Sequence, residues 1–329
     1  MSAEAAPPTP NAARRPRVAV AQLGARRHYA VPRILHAAGM LERFFTDSYS
    51  GNKPVLRTVV SATERIWPSD AGRRWLSRHA PDLPAAKVTS FERLGFVSAI
   101  GRRRVTRPSE KRQIRQDVGQ RFNQAVVQQN GLDGADVVYG FNLASLELFQ
   151  TARREGRRCV LDQTLAPVSV EDVLLAAEIE RWPFWQPGLE VGVAERAAER
   201  ESREWDAVDV ILCPSRFVAD GIAAAGGPAS KCRIVPYGVD VRYFPRRPMR
   251  QPVEGRPLRV LFAGEVGLRK GAPYLMEALS QLGPSLVEGR FVGSLALARE
   301  RLGSFAAVAS FLGSVPRSAM QEHYAWADV

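Results

Sequence analysis

Residues 261–275, LFAGEVGLRKGAPYL, concentrate the groups best suited to hold a phosphate. Gly264 ends an apolar run, and Arg269 and Lys270 stand side by side just before a helical pattern that starts near Ala272. Two cations, free amides and the positive end of a helix together suit a diphosphate. Gly271 would let the backbone approach a ligand closely. The spacing is not that of a Walker loop: counting from Gly264, Arg269 stands where the second glycine belongs, and GxGxxG is not matched either. A solvated basic turn fits this spacing equally well.

Other residues capable of chemistry are scattered. Asp162 closes the apolar segment RCVLD. The carboxyl ends of parallel strands are where catalytic groups gather, although a capping or turn role weighs equally. His28, in the loop leading into the first helix, is a second candidate catalytic group; an ordinary helix-start histidine is the alternative. His36 and His323 fall on helix patterns and read as surface or packing residues. Glu195 and Glu199 are spaced i,i+4 with Arg196, Arg200 and Arg203 interleaved, the pattern of a solvated charged face. Trp182 and Trp185 suit core packing more than stacking on a sugar or a lipid. Cys159, Cys213 and Cys232 are too few and too scattered for a disulfide framework or a zinc site. Cys159 and Cys213 lie in apolar segments, as small buried hydrophobes do, and a reducing cytoplasm is the natural compartment.

Alternating strands and helices would have to position these groups. RVAVAQLGA (17–25) reads as a buried strand followed by a helix over about 30–38, and residues 52–125 read as amphipathic helices rich in Arg. Strands are expected at 135–141, 157–164, 208–215 and in 232–240, with helices at 145–156, 170–182, 194–205 and 215–226. A second series has strands in 257–264, 289–293 and 307–313, helices at 272–282, 295–302 and 317–326, and another strand starting at Ala327. Strands separated by helices of this length indicate βαβ units and parallel sheets, hence an α/β fold. The expected organisation is a disordered tail (1–15), an N-terminal Rossmann-like domain (16–244), a proline-bearing linker (245–257) and a C-terminal Rossmann-like domain (258–329) that stops before its sheet is complete.

Charge is unevenly distributed. The chain carries a formal +12, yet residues 1–121 hold 23 Lys and Arg against 9 Asp and Glu, so the excess belongs to the first third. Localised positive charge implies an anionic partner, here a membrane surface or an anionic acceptor. Nucleic acid is set aside, because no nucleic-acid motif accompanies the Arg and no aromatic residues interleave for base stacking. No apolar run approaches the ~18 residues that cross a bilayer. The eight apolar-rich residues from Val18 to Ala25 end at Arg26 without a cleavage site and are no signal peptide. The expected location is the cytoplasm, extending to peripheral attachment at the inner membrane face.

SRFVADGIAAAGGPASKCRIVPYGVDVRYF followed by LRVLFAGEVGLRKGAPYLMEAL resembles the family-4 retaining glycosyltransferases of the GT-B fold. A PSxFV helix, a PNGVD-like loop and a GxxxxRKG turn occur in the family's order and separation. The similarity is strong over 208–282 and extends weakly to GARRHYAVPRIL, YGFN and LDQT. It implies two Rossmann-like domains and a metal-independent, hexosyltransferase-like transfer from a nucleotide-diphosphate sugar to a lipid-linked, polysaccharide or other acceptor with retention of configuration. No cofactor is implied beyond that donor. Arg269 and Lys270 would clamp the diphosphate, with Gly264, Gly271 and Gly238 shaping the donor site, and Gly24 matches a glycine loop facing the donor. Three departures stand out: Tyr237 replaces the Asn of PNGVD, Glu265 stands where an Arg commonly follows the glycine, and the chain ends before the family's Glu-x7-Glu segment. The last departure leaves an alternative, a truncated or inactive homologue acting as a nucleotide-binding or interaction protein.

Overall fold

The computed structural model describes residues 14–67, 69–105, 107–192, 195–239, 241, 255–316 and 319–329. Most of the expected tail (1–15) and linker (245–257), and Asp240 of the PYGVD loop, lie outside the described residues. In chain order the elements are β1 (Val18–Gln22), α1 (Ala30–Ala37), β2 (Leu41–Thr46), α2 (Pro54–Ile66), α3 (Asp70–Leu76), β3 (Val88–Ser90), α4 (Glu92–Arg104) and α5 (Pro108–Gln128). Then come β4 (Val137–Phe141), α6 (Leu146–Arg154), β5 (Arg158–Asp162), α7 (Val168–Arg181), α8 (Glu195–Asp206), β6 (Val210–Cys213), α9 (Arg216–Ala224) and β7 (Cys232–Ile234). The last are β8 (Leu258–Ala263), α10 (Ala272–Leu282), β9 (Val287–Val292), β10 (Ala309–Gly313) and α11 (Met320–Trp326). They form two compact units, one of residues up to 166 plus 197–235 and the other of 167–196 plus 236–329.

The first unit is a seven-stranded sheet in the order β3-β2-β1-β4-β5-β6-β7 with every pairing parallel. Side chains alternate across a strand, so a strand covered on both faces reads as a continuous apolar run. In β1, Val18 and Val20 enter one core with Tyr29, Phe44 and Tyr49. Ala19 and Ala21 enter the opposite core with Phe45, Val138 and Phe149. Strand order reverses between β1 and β4, the point where open α/β sheets leave a crevice at their carboxyl edge. Two strands, β2 and β3, are additions to the sequence reading, which assigned no element to 41–46 and saw only helices across 52–125. The Arg43 and Glu42 of LERFFT break the apolar run, yet Leu41, Phe44 and Phe45 are buried.

The second unit has a three-stranded parallel sheet in the order β10-β9-β8. On the other edge of β8 the Val329 amide donates to the Arg259 carbonyl (3.2 Å) and the Leu261 amide to the Val329 carbonyl (2.9 Å), the ladder expected of a strand beginning at Ala327. Helix α10 buries Ala272, Met276 and Leu279 against the sheet. Residues 167–196, assigned from sequence to a domain spanning 16–244, pack in this unit instead. The reason is aromatic: Trp182 lies 4.9 Å from Trp185 and 5.3 Å from Tyr274, edge-on to both, and Trp185 lies 6.0 Å from Phe305. These tryptophans are core, not a stacking platform.

The helix expected at 295–302 is replaced by short 3-10 turns at Arg299–Arg301 and Gly303–Phe305. Leu295 bridges Val266 in parallel fashion, the Ala296 and Leu297 amides donate to the Val266 carbonyl (3.0 and 3.3 Å), and the Ala298 amide donates to Trp185. Those bonds hold the segment's first half out of helical geometry.

Candidate functional site

At the switch point of the first sheet, each strand delivers a polar group to the carboxyl edge. Gly24 follows β1 with φ of +73°, a left-handed conformation that favours glycine, while a methyl group there would meet nothing within 4 Å. Its requirement is therefore dihedral. The Gly24 amide donates to Asp47 Oδ1 (2.8 Å), and Asp47, just past β2, also accepts from Arg78 (3.0 Å). Gln22 Nε2 donates to the carbonyls of Gly24 (2.8 Å) and Arg26 (3.1 Å), pinning the loop from inside.

The next three residues are unusual. Arg27, His28 and Tyr29 all have positive φ (49°, 51° and 60°). Left-handed backbone costs an L-residue roughly 1–2 kcal/mol, so consecutive examples persist only where surroundings over-determine them. Here Tyr29 is buried edge-on to Phe44 and Tyr49 (5.4 and 5.5 Å). Arg27 Nη2 donates to Asp162 Oδ1 at 2.5 Å. Asp162 is buried at the end of β5, and its Oδ2 accepts from the Tyr139 hydroxyl (2.6 Å). With both oxygens engaged, Asp162 is placed to hold Arg27 and its loop. His28, at the crest of that loop, is exposed, and its amide donates to the Ala25 carbonyl (3.0 Å). Beside them Arg26 lies over the Phe141 ring (5.3 Å), and Asn142, after β4, accepts from Thr164 Oγ1 (2.9 Å).

A buried polar layer supports this edge. Glu204 of α8 accepts from the backbone amides of Leu143 (2.6 Å) and Ser145 (2.8 Å), fixing the turn after β4, where Leu143 has φ of +64°. Burial outweighs those donors and the nearby Arg200, and pushes the Glu204 carboxyl up to about 7. Arg200 makes a two-pronged ion pair with Glu147 (2.6 and 2.7 Å). The Glu147 carboxyl is held below its ordinary value by Arg200 and Asn123, against the opposing effect of its own burial. Glu195 and Glu199, expected on a solvated face, are exposed and stand outside this layer. Burial likewise pushes the thiols of Cys159 and Cys213 up to about 12, as in small buried hydrophobes.

The second sheet presents a different edge. All three strands end in glycine: Gly264 after β8, Gly293 after β9 and Gly313 at the end of β10. Gly264 and Gly293 have φ of +150° and +154°, values reserved for glycine, and a methyl group on Gly293 would lie 1.7 Å from the Gly264 carbonyl oxygen. The sheet edge is thus bare backbone. From Gly264 the chain runs through a buried Val266–Leu268 segment into a 3-10 turn at Leu268–Lys270, and Gly271, left-handed at φ +67°, starts α10. Gln186 fixes the turn, its Oε1 accepting from the Leu268 amide (2.8 Å).

Arg269 and Lys270 project from the turn with exposed side chains, and Arg269 Nη1 lies 3.4 Å from Glu171 Oε1 of α7. The amides are less available than expected. Those of Lys270 and Ala272 donate to the Gly267 carbonyl, that of Gly271 donates to Leu268, and Pro273 has none. The positive charge of this turn is therefore carried by side chains, beside the bare strand ends. Gly238 is exposed, and a methyl group there would meet nothing within 4 Å.

Several groups escaped the sequence reading: Asp47, Gln22, Arg27, Tyr139 and Asn142 on the first sheet, Gly293 and Gly313 on the second. For Gln22, Asp47, Asn142, Gly293 and Gly313 the available signal was positional, since each stands at or just past a strand's carboxyl end; Arg27 and Tyr139 lie in the segments GARRHYAVPRIL and YGFN.

No family model matches the chain, and no curated protein matches it in sequence. Among solved structures it is similar to Anabaena Alr3699/HepE in complex with UDP and glucose, at 12% identity, covering 93% of this chain and 71% of that one, with a TM-score of 0.47. It is also similar to the apo lipopolysaccharide outer core galactosyltransferase WaaB, at 13% identity, 93% and 70% coverage and a TM-score of 0.45. A third is a putative UDP-N-acetylglucosamine 2-epimerase from Listeria monocytogenes, at 8% identity, 95% and 73% coverage and a TM-score of 0.43.

Proposed function

We propose that this chain is a GT-B glycosyltransferase that moves a hexosyl group from a nucleotide-diphosphate sugar to a lipid-linked or polysaccharide acceptor with retention of configuration. The observation that carries the reading is the Gly264–Gly271 turn. It leaves the first strand of a parallel sheet, presents Arg269 and Lys270 to solvent, and leads into α10 beside a row of glycine-terminated strands. Such cations stabilise the charge that grows on a departing nucleoside diphosphate, the largest electrostatic demand of glycosyl transfer. The glycine-bare edge next to them allows a flat or bulky ligand to lie against backbone. The motif order PSxFV, PYGVD and GxxxxRKG supports the same assignment: PSxFV opens α9, Pro236 to Val239 follow β7, and GxxxxRKG runs from the end of β8 to the start of α10.

In this reading Asp162 acts as a positioning residue for Arg27, and His28, exposed at the loop crest, is the group that meets donor or acceptor. Calorimetric titration of UDP, GDP and ADP into wild-type protein and Lys270→Ala tests the proposal. Loss of a charged hydrogen bond from a solvent-exposed head should cost about 1.5 kcal/mol, roughly tenfold in affinity. Equal affinity of the two proteins for every nucleotide refutes it.

A further inference from the structure

A tight turn ends α7. Pro183 and Phe184 are its central pair, and the Trp185 amide closes it by donating to the Trp182 carbonyl (3.3 Å). Phe184 has φ of +65°. Proline followed by a residue with positive φ is the pattern of a type II turn, whose second central position suits glycine or asparagine. A bulky L-residue is strained there. At Tyr29 ring packing compensates the same backbone conformation, and at Leu143 the Glu204 carboxylate fixes it. Phe184 is instead 82% exposed, so its ring adds little to the core that holds the turn. An outlier kept without a packing gain points to a role outside the fold.

The turn is tied to the carboxyl edge of the second sheet from both sides. The Trp185 carbonyl accepts from the Ala298 amide (2.8 Å), in the segment that follows β9. Gln186 Oε1 accepts from the Leu268 amide (2.8 Å), in the turn that follows β8, and a methyl group on Gly267 would lie 2.9 Å from that oxygen. Arg269 and Lys270 come directly after Leu268. Phe184 is therefore an exposed aromatic ring on a fixed backbone, at the edge where parallel sheets bind ligands. A ring positioned in advance loses little freedom on meeting a ligand. A nucleotide-diphosphate sugar carries two rings, one on each side of its phosphates. The glycine-bare strand ends suit the flat base, which can lie against backbone. The hexose is thicker and turns C–H groups outward from its faces, which suits an aromatic ring that projects.

We propose that Phe184 packs against the hexosyl ring of the donor, with Trp182, Trp185 and Gln186 holding it in place. The assignment rests on the nucleotide-sugar reading and names the part of the donor that this turn meets. Its test is calorimetric titration of UDP, GDP, UDP-glucose and GDP-mannose into wild type, Phe184→Ala, Phe184→Tyr and Phe184→Gly. For whichever sugar nucleotide binds, Phe184→Ala should weaken it roughly three- to tenfold and leave the matching free diphosphate unchanged. Phe184→Tyr keeps the ring and should match wild type. Phe184→Gly should show the loss seen with Ala and a raised midpoint of thermal unfolding, because glycine takes this φ without strain. An equal loss for sugar nucleotide and free diphosphate would assign the ring to the base or to the turn itself, and overturn the proposal. So would a lowered midpoint for Phe184→Gly, which would place the ring in the service of the fold. Wild-type binding that Phe184→Ala leaves unchanged refutes this assignment alone, whereas wild type that binds none of the four refutes the nucleotide-sugar reading and this assignment with it.

Discussion

Replacing Glu204 by Gln should remove a loss of stability that the wild-type protein undergoes between pH 4.5 and about 7. The carboxyl is fully buried, and burial dominates its environment; the Ser145 and Leu143 amides and Arg200 oppose it without prevailing. The folded protein therefore holds this proton more tightly than the unfolded chain. Below pH 4.5 both states are protonated and the contribution is complete. As pH rises the unfolded chain ionises first, and stability declines until the folded form also ionises near pH 7. The interval between 4.5 and about 7 corresponds to about 3 kcal/mol. Urea unfolding followed across this range for both proteins gives the difference directly. Glu147 and Asp136, whose carboxyls are held below their ordinary values, contribute the opposite slope to both curves and cancel. The Glu204→Gln variant would set a side-chain amide against one backbone N–H, a pH-independent cost of about 1–3 kcal/mol. Wild type should thus lead by most at acid pH, and the lead should shrink by about 3 kcal/mol by neutrality. Parallel curves would refute the argument that burial governs this carboxylate.

Glu171→Gln tests whether the Arg269–Glu171 pair competes with ligand. Both side chains are about a third exposed (37% and 30%), so the pair is worth at most about 1 kcal/mol, and its removal should tighten nucleoside diphosphate binding two- to fivefold by calorimetry. Weaker binding would mean that Glu171 orients Arg269. Gly293→Ala should lose roughly 2–4 kcal/mol in chemical denaturation, from strained φ plus collision with Gly264. Gly283→Ala, left-handed but with open space, should lose about 1 kcal/mol; equal losses would contradict the close approach of β8 and β9.

What the sequence disclosed follows from where periodicity is strong. Strands β4, β5 and β6 are near-continuous apolar runs bounded by turn residues, and two covered sheet faces leave no other reading. Strand β2 escaped because Glu42 and Arg43 interrupt it, and β3 because three residues are too few to show a period. The assignment of α7 to the second unit was hidden for another reason. Its partner Tyr274, whose hydroxyl donates to Glu178, lies 96 residues downstream, and no local pattern records a contact at that separation.

The sites were legible in residue type and obscure in backbone. Arg269, Lys270 and Gly271 stand out by residue type and spacing, and they lie in the turn before α10 that the spacing predicts. The expected amides did not survive, because the turn closes on itself through the carbonyls of Gly267 and Leu268, a choice of dihedral that no side chain announces. The same holds for Arg27 to Tyr29. Nothing in the letters RHY requires three left-handed residues. That conformation is enforced from a distance by Asp162 on β5, Tyr139 on β4 and the ring cluster around Phe44. Asp162 stood out from its strand-end position, but a role in chemistry and a role in holding Arg27 look identical in sequence. They separate only once both carboxylate oxygens have partners. A strand-end carboxylate with one oxygen engaged by a strained loop and the other by the neighbouring strand holds that loop in place. In the proposed reading the group that meets substrate is sought among the residues the loop presents.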